Sequence, residues 1–368
     1  MKWLLNVIEK VRPHFEEGGR LKAFHPVFGA LEHFFFSPSE TTIGPPHIRD
    51  PIDLKRYMSM VIISLVPCVL AALYFFGLRF LAMVVVSYAA GLTVEALFAM
   101  VRKEGINEGF FVTGILWPLI LPPTLPLWMV AVGVAFGVLI GKELFGGTGR
   151  NVFNPALVGR CFLALAYPKT MASSWVEPGQ AVAGRLLSWV GPSSADAISA
   201  ATPLALAKQG DMVPTSHMFL GNISGSFGET SALMIILGGG FLLLTRVANW
   251  RTVLATLASF FVLTVALIAG GRLTYNMPGV LGPTLWHLCA GGLLFGAFYM
   301  ATDPVTGPTT NAAKWIYGIT IGSVTVLIRN FTGYVEGVTF AILLGNIVAP
   351  ILDEIVIAIR IRRLRSEG

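Results

Sequence analysis

The stretch Pro118-Leu119-Ile120-Leu121-Pro122 decides the fold, because its two prolines recur 186 residues later in Pro304-Val305-Thr306-Gly307-Pro308. Further residues recur at an offset of 185 or 186 positions: Gly133 and Gly318, Gly137 and Gly322, Phe145 and Phe331, Gly147 and Gly333, Leu157 and Leu343, and Gly159 and Gly345. These matches predict that the chain consists of two related halves. The alternative is that proline and glycine, which are frequent in membrane helices, recur by chance.

The composition indicates a protein embedded in a membrane. Of the 368 residues, 54% are hydrophobic and only 12% are charged, whereas soluble domains carry about 25% charged residues. The three cysteines, Cys68, Cys161 and Cys289, stand singly in apolar runs, and the sequence has no CxxC pair. We therefore predict no iron–sulfur cluster, structural zinc or other metal site in this chain.

Ten apolar runs predict ten membrane helices. They lie near residues 57–78, 80–101, 109–125, 127–142, 155–168, 230–245, 252–270, 284–300, 312–328 and 334–357. Several are shorter than the roughly 20 residues that a span needs and contain proline and glycine, which favours broken or re-entrant helices. The predicted fold class is an all-α polytopic membrane protein of two five-helix repeats. Because five is odd, the second repeat is inverted relative to the first, as is typical of transporters.

Basic residues predict the orientation of these helices. The predicted inner segments hold 19 of the 26 Lys and Arg residues, and Arg160 falls within a span. The outer connections hold the other six: Arg79, Lys169, Arg185, Lys208, Arg272 and Arg329. This asymmetry predicts that both termini lie on the inner side. The predicted divisions are a cytoplasmic arm (1–56), a first five-helix repeat (57–168), an outer connection (169–229), a second five-helix repeat (230–357) and a basic cytoplasmic tail (358–368).

The outer connection contains the heptapeptide Asp196-Ala197-Ile198-Ser199-Ala200-Ala201-Thr202. It is similar to the acceptor sequence on which a flavin transferase attaches FMN through a threonine phosphoester. If Thr202 carries a flavin, the chain moves electrons. The alternative is a loop of small residues that leads into a helix, with Thr202 as its N-cap and Pro203 as its first residue.

Two polar connections on the predicted inner side could bind a ligand. In residues 145–155, glycines permit positive φ angles, and Asn151 and Asn154 offer donors and acceptors that suit an isoalloxazine edge or a quinone carbonyl. Alternatively, Asn154 only caps the helix that begins at Pro155. In residues 301–311, Asp303 lies beside predicted broken helix ends, where a carboxylate suits a cation or proton site. The alternative there is an Asx-turn.

Few other acidic residues approach the membrane. They are Glu95, Glu108, Glu143, Glu336, Asp353 and Glu354. Burying an unpaired carboxylate is costly, so a carboxylate inside the membrane suggests a function. We expect an ion pathway to include Glu108, Asp303 and Asp353, although Glu108 and Glu143 could be interfacial. The arginines of residues 360–365 favour a positive-inside anchor.

Four segments carry a resemblance to a known family. They are Arg12-Pro13-His14-Phe15-Glu16-Glu17-Gly18-Gly19-Arg20-Leu21; Pro46-His47-Ile48-Arg49-Asp50 with Asp53-Leu54-Lys55-Arg56; Gly146-Gly147-Thr148-Gly149 through Asn154-Pro155-Ala156; and Ala301-Thr302-Asp303-Pro304. Together they resemble the B subunits of the sodium-translocating NADH:quinone reductases, with the D subunits of the Rnf ferredoxin:NAD oxidoreductases as near neighbours. The resemblance covers essentially the whole chain, and the N-terminal arm favours the reductase over the Rnf type.

The resemblance implies three redox sites. It implies FMN esterified to Thr202, within a motif that includes Asp196, Ser199, Ala200 and Ala201 and in which Ala200 replaces a usual glycine. It also implies a noncovalent riboflavin, expected near Gly147, Asn151, Asn154, Asp303 and Thr306. Ubiquinone or menaquinone is the implied substrate, expected near the arm and Arg102, Gly105 and Glu108.

The resemblance further implies a component of a sodium-transporting translocase in the bacterial inner membrane. Its expected partners are the A, C, D, E and F subunits of a six-subunit complex, the flavin transferase, quinone and the membrane, with no nucleic acid. Hydride transfer from NADH is expected elsewhere, because this chain has no dinucleotide-binding fingerprint. Two rival functions stay open: an Rnf-type subunit that exchanges electrons with ferredoxin, and a channel or transporter without redox chemistry.

Overall fold

The computed structural model describes residues 11–14, 54–103, 109–178, 201–334 and 337–367, and helices dominate them. Numbered in chain order, the helices are α1 (Leu54–Phe76), α2 (Leu78–Arg102), α3 (Gly109–Leu119), α4 (Leu127–Gly141), α5 (Pro155–Ala166), α6 (Pro168–Ser173), α7 (Pro203–Gln209), α8 (Thr215–Leu220), α9 (Ala232–Leu244), α10 (Trp250–Ala269), α11 (Leu281–Cys289), α12 (Leu293–Met300), α13 (Asn311–Phe331) and α14 (Val338–Glu367). Short 3-10 turns lie at Arg12–His14 and Glu143–Phe145. The all-helical class predicted from the apolar runs is confirmed for these residues.

Side-chain caps fix the starts of the helices that follow polar connections. Asn154 accepts hydrogen bonds from the backbone N–H groups of residues 156 and 157, and Pro155 is the first residue of α5. Ser231 begins α9 in the same way, by accepting from the N–H of Met234. These caps satisfy backbone donors that would otherwise be unpaired in an apolar surrounding.

A helix lies in each of the ten predicted apolar runs, but not every helix is long enough to span a membrane alone. Within the described residues, five helical stretches are long and apolar enough to span a membrane, and they lie in α1, α2, α4, α10 and α14. The stretches are Arg56–Phe76, Leu78–Arg102, Leu127–Phe145, which includes the 3-10 turn after α4, Trp250–Ala269 and Val338–Ser366. The pair α11 and α12, bent by 65°, gives a sixth if it counts as one span. Three further apolar helices, α3, α5 and α9, are shorter. The count of ten spans therefore stays a prediction.

Glycines from the repeated pattern lie where helices cross closely. In the first half α4 packs against α2 and α5, and in the second half α13 packs against α10 and α14. A Cβ on Gly137 would clash with the carbonyl oxygen of Pro155, and a Cβ on Gly322 would clash with the carbonyl oxygen of Thr256. These glycines are therefore required by close backbone approach, as is common between membrane helices.

The predicted span at 284–300 is broken. Helix α11 ends at Cys289, Gly291 adopts a φ of +63°, and α12 continues as a π-helix over Gly296–Met300. Arg329 of α13 donates to the carbonyls of His287 and Ala290 at 2.8 and 3.0 Å, which satisfies backbone groups that the break exposes.

A second break follows α3, where Arg79 of α2 donates to the carbonyls of Pro123 and Leu125, both at 2.8 Å. The assignment of Arg79 and Arg329 to outer connections was therefore wrong. Both lie within helices and are buried, because the carbonyls of the broken segments bind their guanidinium groups.

A buried non-helical segment, residues 221–231, fills the space between these two breaks. The N–H of Gly228 donates to the carbonyl of Leu119 at 2.7 Å, and the Phe227 ring packs against Phe76 and Phe80. Apart from the exposed Asn222, its polar residues are buried, including Glu229 at 3% exposure. The segment thus brings a carboxylate to the middle of the helical core.

Candidate functional sites

Thr202 lies in the wall of a cavity of about 470 Å³. We call it the outer cavity, after the side on which the sequence predicts Thr202 to lie. It is buried at 8% exposure, and it caps α7 by accepting from the N–H of Ala205 at 3.3 Å. The predicted N-cap is therefore confirmed, and the cap leaves Thr202 beside an open volume. The cavity falls within the 300–1,000 Å³ range of small-molecule sites. Asp196, Ser199 and Ala200 lie outside the described residues.

The wall of this outer cavity combines apolar, aromatic and charged groups. Among its lining residues are Arg160, Ala164, Met171, Trp175, Ala201, Tyr334 and Phe340. Flat aromatic ligands pack well against such rings. The only ionisable lining group besides tyrosine is Arg160, so this residue sets the charge of the described wall.

Arg160 belongs to a buried ion pair. Its Nη1 donates to Oε1 of Glu229 at 2.9 Å, and the two side chains are 6% and 3% exposed. The hydroxyl of Ser226 donates to Oε2 of Glu229 at 3.0 Å. Both carboxylate oxygens therefore have partners, as a buried charge requires.

A second cavity has a volume of about 80 Å³. We call it the inner cavity, after the side on which the sequence predicts residues 145–155 to lie. Its lining includes Tyr57, Gly109, Lys142, Thr148, Asn151, Asn154, Tyr299 and Asp303. The structure thus brings together three of the predicted riboflavin residues, Asn151, Asn154 and Asp303. The other two, Gly147 and Thr306, lie next to wall residues but are not part of the wall.

Asn154 joins the two polar connections that the sequence had suggested separately. Its Oδ1 caps α5, and its Nδ2 donates to Oδ2 of Asp303 at 3.4 Å. Asp303 Oδ1 accepts from the N–H of Val305 at 3.0 Å, which is the Asx-turn predicted as the alternative. Burial raises the pKa of Asp303 above its usual range, while hydrogen bonds from Val305, Thr306 and Asn154 act in the opposite direction.

A neighbouring cavity of about 320 Å³ also borders Asp303. The two cavities share Tyr57, Val247, Thr302, Asp303 and Pro304. Asp303 therefore lies in a thin wall between two volumes, where its carboxylate can meet a ligand or ion on either side.

Two ion pairs lie beside the inner cavity. Lys142 Nζ donates to Oε1 of Glu95 at 2.7 Å, and both side chains are 5% exposed. Arg102 Nη1 donates to Oε2 of Glu143 at 2.8 Å, and its Nη2 contacts the carbonyl oxygen of Glu143. The Glu143 side chain is buried in the protein, at 4% exposure, and its position relative to the membrane interface stays a prediction. Gly105 and Glu108, predicted with Arg102 to bind quinone, lie outside the described residues.

Asp353 does not share a cavity wall with Asp303 among the described residues. Its carboxylate accepts from the N–H and hydroxyl groups of Thr309 and Thr310 at 2.6–2.9 Å. It therefore caps the start of α13 from a neighbouring helix, a role that the sequence did not indicate.

The short helix α5 connects the two cavities. Asn154 at its N-terminus lines the inner cavity, and Arg160 and Ala164 further along line the outer cavity. Its 12 residues span roughly 18 Å at 1.5 Å per residue. The two candidate sites thus lie at opposite ends of one helix.

Several site residues could not be found from the sequence. Lys142, Arg160 and Glu229 each have a partner 47 or 69 residues away in the chain. The available signal was their charge within or beside apolar runs, which is costly unless it is paired. That signal singles out a residue without identifying its partner.

These features define a polytopic membrane protein of broken and continuous helices with a cavity at each end of α5. The chain belongs to the NQR2, RnfD, RnfE family, whose profile matches residues 41–362. It is 38% identical to the B subunit of the Na(+)-translocating NADH-quinone reductase of Klebsiella pneumoniae (strain 342), over 99% of this chain and 100% of that protein. The B subunits of that reductase from Pseudomonas paraeruginosa (strain DSM 24068 / PA7) and Azotobacter vinelandii (strain DJ / ATCC BAA-1303) are 37% and 38% identical, over 99% and 97% of this chain and 100% and 97% of theirs. The resemblance to the B subunits is thereby confirmed.

Proposed function

We propose that this chain is the membrane subunit of a sodium-translocating NADH:quinone reductase that carries FMN as a phosphoester on Thr202 and passes electrons through riboflavin to quinone. The observation that carries the proposal is the position of Thr202 in the wall of the outer cavity. The names of the relatives, at 37–39% identity over nearly the full chain, support the reductase rather than an Rnf-type role.

The outer cavity fits the proposed FMN. Thr202 supplies the ester oxygen at the wall, and the volume of about 470 Å³ suits a flat tricyclic ring. Trp175, Tyr334 and Phe340 offer apolar faces for packing, and Arg160 offers a positive charge. When bound, a flavin supplies one- and two-electron transfer. The residues of this chain hold and orient the ring, exclude water and set the local charge.

The donor set of the inner cavity fits riboflavin, but its present volume does not. Asn151 and Asn154 provide amide groups, and the buried hydroxyl oxygen of Thr148 has no hydrogen-bond partner among the described residues. An orphaned buried hydroxyl is costly, and a polar ligand would satisfy it. About 80 Å³ is too small for a flavin, so binding requires the wall around Asp303 to move toward the adjoining cavity of about 320 Å³.

We further propose that the second half is an inverted repeat of the first, with both termini in the cytoplasm of a bacterial cell and Thr202 on the periplasmic side. The corresponding packing of α4 and α13 and the glycines at their crossings support this arrangement. In it, a partner protein of the complex delivers electrons at the outer face, and quinone accepts them near Arg102, Gly105 and Glu108. The A, C, D, E and F subunits of the reductase and the flavin transferase are the proposed partners.

Sodium export is the proposed coupled process. Asp303 borders two cavities at the inner end of α5, and we place it in the ion pathway with Glu108. We do not include Asp353 in this proposed pathway, because four hydrogen bonds already occupy its carboxylate.

A denaturing gel viewed under ultraviolet light tests the flavin site. The chain co-expressed with the flavin transferase should give a fluorescent band, and Thr202→Ala should abolish it. Thr215→Ala is the matched control, because it removes a threonine from α8 on the same proposed side and should retain the band. A fluorescent Thr202→Ala band would place the flavin elsewhere, and absence of fluorescence from the unaltered chain would favour a non-redox transporter.

A further inference from the structure

The Arg160–Glu229 pair is placed where charge would act on a ring in the outer cavity. Arg160 lines the same cavity as Thr202, while Glu229 lies behind it on the buried segment 221–231. Both side chains are more than nine-tenths buried. Charges interact far more strongly in such a surrounding than in water, because less solvent screens them.

We propose that Arg160, held by Glu229, is the residue that sets the reduction potential of the flavin on Thr202. This inference rests on the proposed function. Each electron taken up adds negative charge to the ring, so a neighbouring guanidinium favours the reduced form. Glu229 positions Arg160 and limits that effect, because its negative charge partly cancels the positive one.

Packing alone does not explain the arrangement of this ion pair. A buried ion pair is often no more stabilising than well-packed apolar side chains of similar volume. Here the cation faces the cavity, and the carboxylate is turned away and held by Ser226 at 3.0 Å. The cation thus lies between the cavity and the anion. The pair is neutral overall, but the side of the pair that borders the cavity is positive.

The test measures the midpoint potential of the covalent flavin in the assembled, detergent-solubilised complex by spectroelectrochemical titration. The contribution of the Thr202 flavin is identified by its loss in Thr202→Ala. Arg160→Gln should shift this potential to a more negative value, and Glu229→Gln should shift it to a more positive value. The shift for Arg160→Gln keeps its sign even if Glu229 takes up a proton, because the cation is still lost.

Opposite signs distinguish tuning from a purely structural role. Both substitutions break the same ion pair, so structural damage alone would shift the potential in one direction or not at all. Glu95→Gln is the matched control, because it breaks an equally buried pair at the inner cavity, and it should leave this potential unchanged. Arg160→Lys retains the charge and should stay close to the unaltered protein.

Shifts of the same sign, or unchanged potentials in both variants, would overturn the inference. If the complex with Arg160→Gln does not assemble, Glu229→Gln and Arg160→Lys test the inference instead. Glu229→Gln should raise the flavin potential, and Arg160→Lys should leave it nearly unchanged. The gel assay separates this inference from the proposed function. A fluorescent band lost in Thr202→Ala, combined with unshifted potentials, would reject the role of Arg160 and keep the flavin site.

Discussion

The side-chain amide of Asn154 lies 3.4 Å from a carboxylate oxygen of Asp303, although 149 residues separate them in the chain. The contact joins the start of α5 in the first half to the connection before α13 in the second half. Because Asn154 also caps α5, one side chain couples the inner cavity to the helix that leads to the outer cavity. Both residues are therefore useful points at which to test the proposed function.

Asn154→Ala should weaken both the cap and the inner site. Loss of an N-cap typically costs about 1 kcal/mol, so the thermal unfolding midpoint of the purified complex should fall. The noncovalent riboflavin content should fall with it, because the amide that faces the inner cavity is removed. Flavin extraction and quantification check this second effect.

Ser231→Ala is the control for that experiment. Ser231 caps α9 by accepting from the N–H of Met234, and it does not line the inner cavity. Its removal should lower the unfolding midpoint by a similar amount and leave the riboflavin content unchanged. Equal riboflavin loss in the two variants would show that stability, rather than the Asn154 amide, controls binding.

Asp303→Asn should reduce the stimulation of quinone reduction by sodium, because the carboxylate charge that attracts a cation is lost. The pH dependence gives a second readout. Since burial raises the pKa of Asp303, the charged form is present only above that raised value. Sodium stimulation of the unaltered protein should therefore decline as the pH falls through a range above the usual aspartate pKa.

In Asp303→Asn, this pH-dependent component should be absent. The measurement is the initial rate of quinone reduction against sodium concentration at several pH values. Sodium stimulation that is identical in the two proteins at every pH would remove Asp303 from the ion pathway.

The helices could be predicted from the sequence because hydrophobicity along the chain reports their positions. The caps at Asn154 and Thr202 could also be predicted, since each precedes a proline that begins a helix. Broken helices were predicted for the short runs, but the position of the break near Gly291 was not, although the pair Gly291-Gly292 within an apolar run was an available signal. A continuous hydropathy window averages over such a pair.

Partners across helices could not be predicted, because periodicity gives the faces of a helix but not its neighbours. Lys142 pairs with Glu95, and Arg160 pairs with Glu229, through contacts between elements far apart in the chain. Arg79 was misplaced for the same reason. A charge at a helix end suggests water, whereas here the carbonyls of a broken segment replace the water.

Asp353→Asn should lower stability more than it alters ion transport. The aspartate accepts four hydrogen bonds from Thr309 and Thr310, whereas an asparagine would turn an NH₂ group toward some of these donors. A hydrogen bond to a charged group contributes about 1.5–3 kcal/mol, so the unfolding midpoint should fall measurably. The sodium dependence of quinone reduction should stay unchanged; a changed apparent sodium affinity would assign Asp353 to the ion pathway.

Gly137→Ala should disturb both candidate sites from a position that touches neither. A Cβ at Gly137 would clash with the carbonyl oxygen of Pro155 and lie 3.0 Å from the N–H nitrogen of Gly159. Both obstacles are backbone atoms, so α5 must move away from α4. Overpacking of this kind typically costs about 1–3 kcal/mol, and the movement would displace Asn154 and Arg160 together.

Gly240→Ala is the matched control within α9, because no described atom outside the adjoining backbone of α9 lies within 4 Å of the added Cβ. Alanine favours a helix over glycine by about 1 kcal/mol, so this variant should be as stable as the unaltered chain or slightly more stable. Thermal unfolding of the purified complex, together with riboflavin content and the potential of the covalent flavin, checks the comparison. If Gly137→Ala loses stability but retains both flavin properties, α5 does not link the two sites.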